Sequence, residues 1–122
     1  MYIYPFEKLE VWQLARKFRK EIYAMVNQFP REELFGLTSQ LKRSASSIGD
    51  NISEGSARIT SKDRAHFLVI AYSSAVETIN HLIGAHDLMY IKEEEYLSLR
   101  IKLEEITNKI NSLHKAQFGR TS

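Results

Sequence analysis

From Leu9 onwards the apolar residues of the chain recur at steps of three and four, in four successive stretches. Leu9, Trp12, Ala15, Phe18, Ile22, Met25 and Phe29 make the first stripe. Leu41, Ser44, Ala45, Ile48, Ile52 and Gly55 make the second, with unusually small members. Leu68, Ala71, Ala75, Leu82 and Met89 form a third seam, and Tyr96, Leu99, Leu103, Ile106, Ile110 and Leu113 a fourth. This is the period of an α-helix packed on one face, not of a strand. Two prolines and five glycines in 122 residues leave few places to break such helices.

The breaks that exist fall between the stripes. Pro30 removes a backbone donor and biases Phe29 away from helical geometry. Gly55 to Ile59 makes a connection, after which Thr60, with Asp63 three residues on, reads as a helix cap. Glu93, Glu94 and Glu95 suit the positive end of a helix dipole. These signals predict helices at 7–28, 37–56, 61–90 and 92–116, in one domain spanning residues 1–122. The expected fold is all-α, an antiparallel up-down four-helix bundle. Met1 to Phe6 is aromatic and extended, read equally as docked or frayed, and Gln117 to Ser122 is expected to fray. Gly49 and Gly55 each cost about 1 kcal/mol relative to alanine inside a helix, so close approach of a neighbour is expected at both.

The third stretch is apolar nearly all round. Val69, Tyr72, Val76 and Ile83 widen its seam, Phe67, Ile70 and Leu88 occupy the far flank, and only His66, Ser73, Glu77, Asn80 and Gly84 form a polar strip. A helix apolar on most sides is buried on most sides. In a four-helix protein that predicts a homo-oligomer in which this helix faces another subunit. No 18-residue window is uninterruptedly apolar, so no membrane partner is expected, and MYIYPFEKLE lacks the pattern of a secretory signal. The absence of cysteine excludes disulfides and thiolate metal sites and fits a cytoplasmic setting.

Catalytic chemistry finds little to work with. A di-metal carboxylate site in a bundle needs inward Glu-x-x-His pairs. Here Glu77 is followed at i+3 by Asn80, with His81 at i+4. There is no phosphate loop, nucleophile elbow or zincin motif, and the serines of the second helix have no histidine at helical spacing. The expectation is no enzyme, no metal and no cofactor.

Charge is modest, with a net of +2, but residues 1–64 carry 11 Lys/Arg against 8 Asp/Glu. Arg43, Ser47, Asn51, Glu54 and Arg58 share one stripe of the second helix. Two readings of it stand. In one, Ser47, Asn51 and Glu54, with Glu77 from the third helix, form a structural polar network. In the other, Arg43 and Arg58, with Lys42, Lys62 and Arg64 nearby, contact phosphates of a structured nucleic acid, assisted by Arg16, Lys17 and Lys20. The cluster Arg16, Lys17, Arg19 and Lys20 cannot share one face and is read mainly as solvated surface. Trp12, on the apolar stripe, is read as a core anchor.

The run Arg43-Ser44-Ala45-x-Ser47-Ile48-x-x-Asn51-Ile52-x-Glu54-Gly55, followed by Arg58, resembles the signature of the 23S rRNA intervening-sequence proteins, a family also likened to ribosomal proteins. Leu9-Glu10-Val11-Trp12 and Phe67-Leu68-x-Ile70-Ala71-x-x-Ser74-x-x-Glu77 fit the same pattern, so the resemblance runs from Phe6 to Leu113. It implies an up-down four-helix bundle assembling as a ring, a homopentamer. Founding members are encoded within sequences that interrupt large-subunit rRNA genes, and a related branch assists retroelement reverse transcriptases. The implied partners are therefore a second copy of the chain, structured RNA or an RNA-processing protein. Asp50 departs from the family, which often has a small apolar residue there, and a net of +2 is less basic than the accessory branch. The alternative is a protein-interaction scaffold whose polar stripe is wholly structural.

Overall fold

The computed structural model describes residues 1–119. Among them the chain is all-α, with four helices and no strand: α1 (Glu10–Met25), α2 (Leu37–Ser56), α3 (Ser61–Asp87) and α4 (Glu93–Gly119). α2 packs most extensively on α3, α3 on α4, and α1 on both α2 and α4. Along each seam, residue numbers rise on one helix as they fall on the other. Ser44 meets Thr78 and Ser47 meets Ser74, while Glu10 meets Lys109 and Glu21 meets Lys102.

The inner faces supply one apolar core. Phe18, Ile22, Leu41, Ile48, Ile52, Leu82, Leu103, Ile106 and Ile110 are each under 2% exposed, and each contributes about 1.5–3 kcal/mol of burial free energy. The α2–α3 seam instead carries polar atoms. The Thr78 hydroxyl hydrogen-bonds Ser44 Oγ at 2.9 Å and the Ser74 carbonyl at 2.8 Å, so these buried groups are satisfied. Gly55 is what lets this seam close. A Cβ there would lie 2.9 Å from Phe67 Cβ and 3.4 Å from the Arg64 carbonyl oxygen. Gly49 differs from the expectation, because a Cβ there would meet Trp12 and Ala15 at ordinary distances of 3.7 and 3.8 Å.

Helix ends depart from the sequence reading at both ends of α1 and at the C-terminal ends of α3 and α4. The first stretch is divided: Pro5–Lys8 forms a 3-10 turn, Leu9 is extended (φ −72°, ψ 124°), and only then does α1 begin. Proline suits the first position of a helical turn, where its missing donor is not needed. At the other end, α1 tightens into a 3-10 turn at Val26–Gln28 before Pro30.

α3 stops at Asp87, not at residue 90. Met89 adopts φ 62°, with the Met89 N–H bonded to the His86 carbonyl at 3.0 Å and the Tyr90 N–H to the Ala85 carbonyl at 2.9 Å. That is the two-bond pattern of a left-handed C-cap with methionine where glycine is usual. Met89, expected in the core seam, is 87% exposed.

α4 continues through Gln117, which is buried rather than frayed, with its Oε1 accepting from Arg64 Nε at 3.0 Å. Arg120 to Ser122 lie outside the described residues. The α3 start keeps half of the expected cap: Thr60 Oγ1 accepts from the Asp63 N–H at 3.1 Å.

By length and composition α3 is long and apolar enough to cross a membrane. In this fold its inner face packs against α2 and α4, and its outer face leaves Val69 (50%), Tyr72 (38%), Val76 (46%) and Ile83 (38%) exposed.

Candidate nucleic-acid interface

The cations of the chain divide by what neutralises them. Arg43 pairs with Glu77 across the α2–α3 seam and also donates to Gln40 Oε1 at 2.8 Å. Arg58 reaches Glu54, one turn away on α2, at 3.3 Å, and lies over the Phe67 ring. Lys102 and Lys109 tie α4 to Glu21 and Glu10 of α1, and Arg100 approaches Glu104. Arg64 spends its guanidinium on Gln117, the Arg58 and Ile59 carbonyls and Ser61. These side chains are already engaged within the chain, Arg64 by neutral acceptors and the others by carboxylates.

Arg16, Lys17, Arg19, Lys20 and Lys42 are not. None of these five has a carboxylate at ion-pair distance among the described residues, and the same holds for Lys8, Arg31, Lys62, Lys92 and Lys115, scattered elsewhere. The four on α1 are exposed. Two of the five rest on aromatic rings: Arg16 lies 5.6 Å from the Trp12 ring centroid and Lys42 Nζ 5.1 Å from that of Tyr23. Such contacts hold a cation in place without cancelling its charge. Arg16 and Arg19 line a groove between α1 and α2 with Trp12, Ser46, Gly49 and Asp50. Tyr23 and Lys42 continue the same seam, joined to it by the Tyr23–Ser46 hydroxyl contact at 3.3 Å. Lys17 falls away from it, lining a depression toward α4 with Glu21 and Lys102.

The residues grouped from the sequence therefore separate. Arg16 and Lys42 converge on the α1–α2 groove, with Lys20 exposed beside it by helical position. Arg43 turns to α3, while Arg58 and Lys62 belong to the α2–α3 end of the molecule. Arg19, left as plain surface in the sequence reading, joins the groove; its signal was the i, i+3 spacing to Arg16 on the side of Trp12.

The other polar residues hold helices together. Ser47 Oγ lies 2.8 Å from Ser74 Oγ, and the Asn51 side-chain amide donates to Ser47 Oγ at 2.9 Å and to its carbonyl at 2.8 Å. Glu77 accepts from both Arg43 and His81, the latter at 3.2 Å. Partial burial pushes the Glu77 carboxyl upward, but the hydrogen bonds from His81 and Arg43 and their charges outweigh it, leaving its pKa below the ordinary value. Among the described residues no three His, Asp or Glu side chains converge as a metal site would require.

A family model described as 23S rRNA-intervening sequence protein matches residues 7–112. The chain belongs to that family. A protein of known structure, of unknown function and from the S23 ribosomal protein family of Bacteroides thetaiotaomicron, is similar to it over most of its length. The two are 30% identical, superpose with a TM-score of 0.77, and share 86% of this chain and 98% of the other. No curated protein matched. In this intervening-sequence protein Arg43 pairs with Glu77 across the α2–α3 seam, while Arg16, Arg19, Lys20 and Lys42 gather without carboxylate partners along α1 and α2.

A cavity of about 200 Å³ at the far end of the molecule, lined by Pro5, Leu9, Ile52, Arg64, Leu68 and Gln117, is mostly apolar. Its guanidinium is held by Gln117 and backbone carbonyls, and the cavity offers no free charge to a ligand.

Proposed function

We propose that this intervening-sequence protein is a non-enzymatic RNA-binding assembly, cytoplasmic, whose α1–α2 face contacts phosphates. The carrying observation is the run of cations Arg16, Arg19, Lys20 and Lys42 along adjoining helices, none with a carboxylate partner among the described residues, whereas Arg43, Arg58, Lys102 and Lys109 each have one. Charge left unanswered on one exposed face is what a polyanion recognises, through phosphate contacts and released counterions. Arg43 and Arg58, first candidates on sequence grounds, are in this reading structural, as are Ser47, Asn51, Glu54 and Glu77.

The seam pairings described above support an antiparallel up-down bundle. The exposed apolar residues Val69, Tyr72, Val76 and Ile83 on α3 support self-association through that helix, in a closed ring. A homopentamer is the ring the family resemblance implies. Such a ring repeats the α1–α2 face at regular intervals, which multiplies weak phosphate contacts.

The test is binding of the purified protein to a structured rRNA fragment across a salt series. Affinity falling steeply and linearly in log–log form supports phosphate contacts. Absence of binding at low salt removes the RNA reading and leaves a protein-interaction scaffold, which the α3 face also favours.

A further inference from the structure

The groove between α1 and α2 has a composition that a phosphate contact alone does not use. It is about 200 Å³ in volume, and its walls include an indole, two guanidiniums and a carboxylate: Trp12, Arg16, Arg19 and Asp50. A cavity of roughly 150 Å³ is enough to take a benzene ring, so this one admits a flat heterocycle. Gly49 forms its floor on α2. The nearest atom to a Cβ placed there is Trp12 Nε1, at 3.7 Å, so the absent side chain keeps the indole edge open. The indole N–H has no acceptor among the described residues. Asp50 is exposed and has no cation at ion-pair distance, although two arginines line the same groove.

We infer that this groove is a subsite for a single unpaired guanine nucleotide of the bound RNA. The inference rests on the RNA reading above and adds to it the base that is recognised. Unpaired bases are held by stacking on aromatic rings or arginine planes and read along their edges. Here the base enters between the Trp12 indole and the Arg16 guanidinium, which lie 5.6 Å apart in direct contact, so the exposed Arg16 side chain swings outward to admit it and closes over it.

Guanine is the base whose edges fit. Its N1–H and N2–H2 present two adjacent donors, which one carboxylate accepts together, and Asp50 supplies that carboxylate. Its O6 and N7 present two adjacent acceptors, which an arginine fork satisfies, and Arg19 supplies that fork. Adenine sets an acceptor, N1, against the carboxylate, and uracil has one N–H between two carbonyls. Lys20 and Lys42 remain outside the base site for the flanking phosphates. Asp50, which would only repel a bare phosphate contact, gains a role in this arrangement.

Trp12 is the only tryptophan of the chain, so its emission reports on this groove alone. The experiment uses three heptanucleotide RNAs of uridine with G, A or U at the centre, each labelled for anisotropy, with Trp12 emission read in parallel. The expected result is quenching by the G-centred RNA and an affinity for it about tenfold above the other two. Asp50→Asn should bring the affinity for the G-centred RNA level with that for the other two, and a tenfold preference that survives the substitution overturns the site. The surface position of Asp50 keeps folding out of the comparison, and Gly49→Val, which fills the floor, serves as a second block. Equal binding of all three RNAs with unchanged Trp12 emission overturns the guanine site and leaves the RNA reading standing. No binding of any RNA, rRNA fragment included, overturns both.

Discussion

Arg43 and Glu77, 34 positions apart in sequence, pair across the α2–α3 seam, and Glu77 is shared with His81 on its own helix. The carboxylate is held below its ordinary pKa by this pair, so its stabilisation is present above the unfolded value and lost as pH falls through the folded one. Comparing urea midpoints of the wild type and Glu77→Gln, the wild type should hold its advantage above the ordinary carboxylate range and lose it as pH falls below that range. With side chains 56% and 35% exposed, that advantage should stay below about 1 kcal/mol at neutral pH. An advantage that grows on acidification would contradict the pairing.

Two glycines of one helix should respond to alanine in opposite directions. At Gly55 the new methyl meets Phe67 Cβ at 2.9 Å and the Arg64 carbonyl beside it, which forces α2 and α3 apart. Gly55→Ala should destabilise by about 1–3 kcal/mol. At Gly49 the same methyl has room, and Gly49→Ala should stabilise by up to about 1 kcal/mol through helix propensity. Chemical denaturation of the two variants reads both signs.

Met89 holds a left-handed backbone that costs a non-glycine residue about 1–2 kcal/mol. Its side chain is almost fully exposed and contributes little packing. Met89→Gly should therefore raise stability, by up to about 1 kcal/mol once glycine's greater unfolded freedom is subtracted. A lower thermal midpoint in this variant would contradict the C-cap.

The outer face of α3 is expected to be covered by a second copy. Light scattering should give a particle several times the 14.2 kDa chain mass. Val76→Glu with Ile83→Glu should reduce it to 14.2 kDa with helicity intact, since both side chains already face outward in the isolated chain. A wild-type monomer would remove the ring.

Much of the fold was legible because helical periodicity and caps are local. α2 runs over Leu37–Ser56 as its small-residue stripe and flanking breaks indicate, and Thr60 caps α3. The stop at Met89 was not legible, because the left-handed turn there carries neither glycine nor proline. Leu9 escaped for a related reason: it continues the apolar stripe while its backbone leaves the helix. Gln117 looked like tail because its partner, Arg64, lies 53 positions away. The candidate interface was the least legible part. Helical spacing puts Arg43, Ser47 and Asn51 on one stripe, but which cation finds a carboxylate depends on the register between helices. That register sends Glu77 to Arg43 and leaves Arg16 and Arg19 unpaired.

The most direct measurement compares two sets of variants for binding to the structured rRNA fragment across the salt series. One carries Arg16→Ala, Arg19→Ala and Lys20→Ala, and the other Arg43→Ala and Arg58→Ala. Both are first checked for helicity and assembly. The expected result is that the α1 variant loses affinity at every salt concentration, with a salt slope lower by about one for each phosphate contact removed. The α2 variant should keep the wild-type slope. The reverse pattern, or an α1 variant that binds as the wild type does, would contradict the assignment of the α1–α2 face.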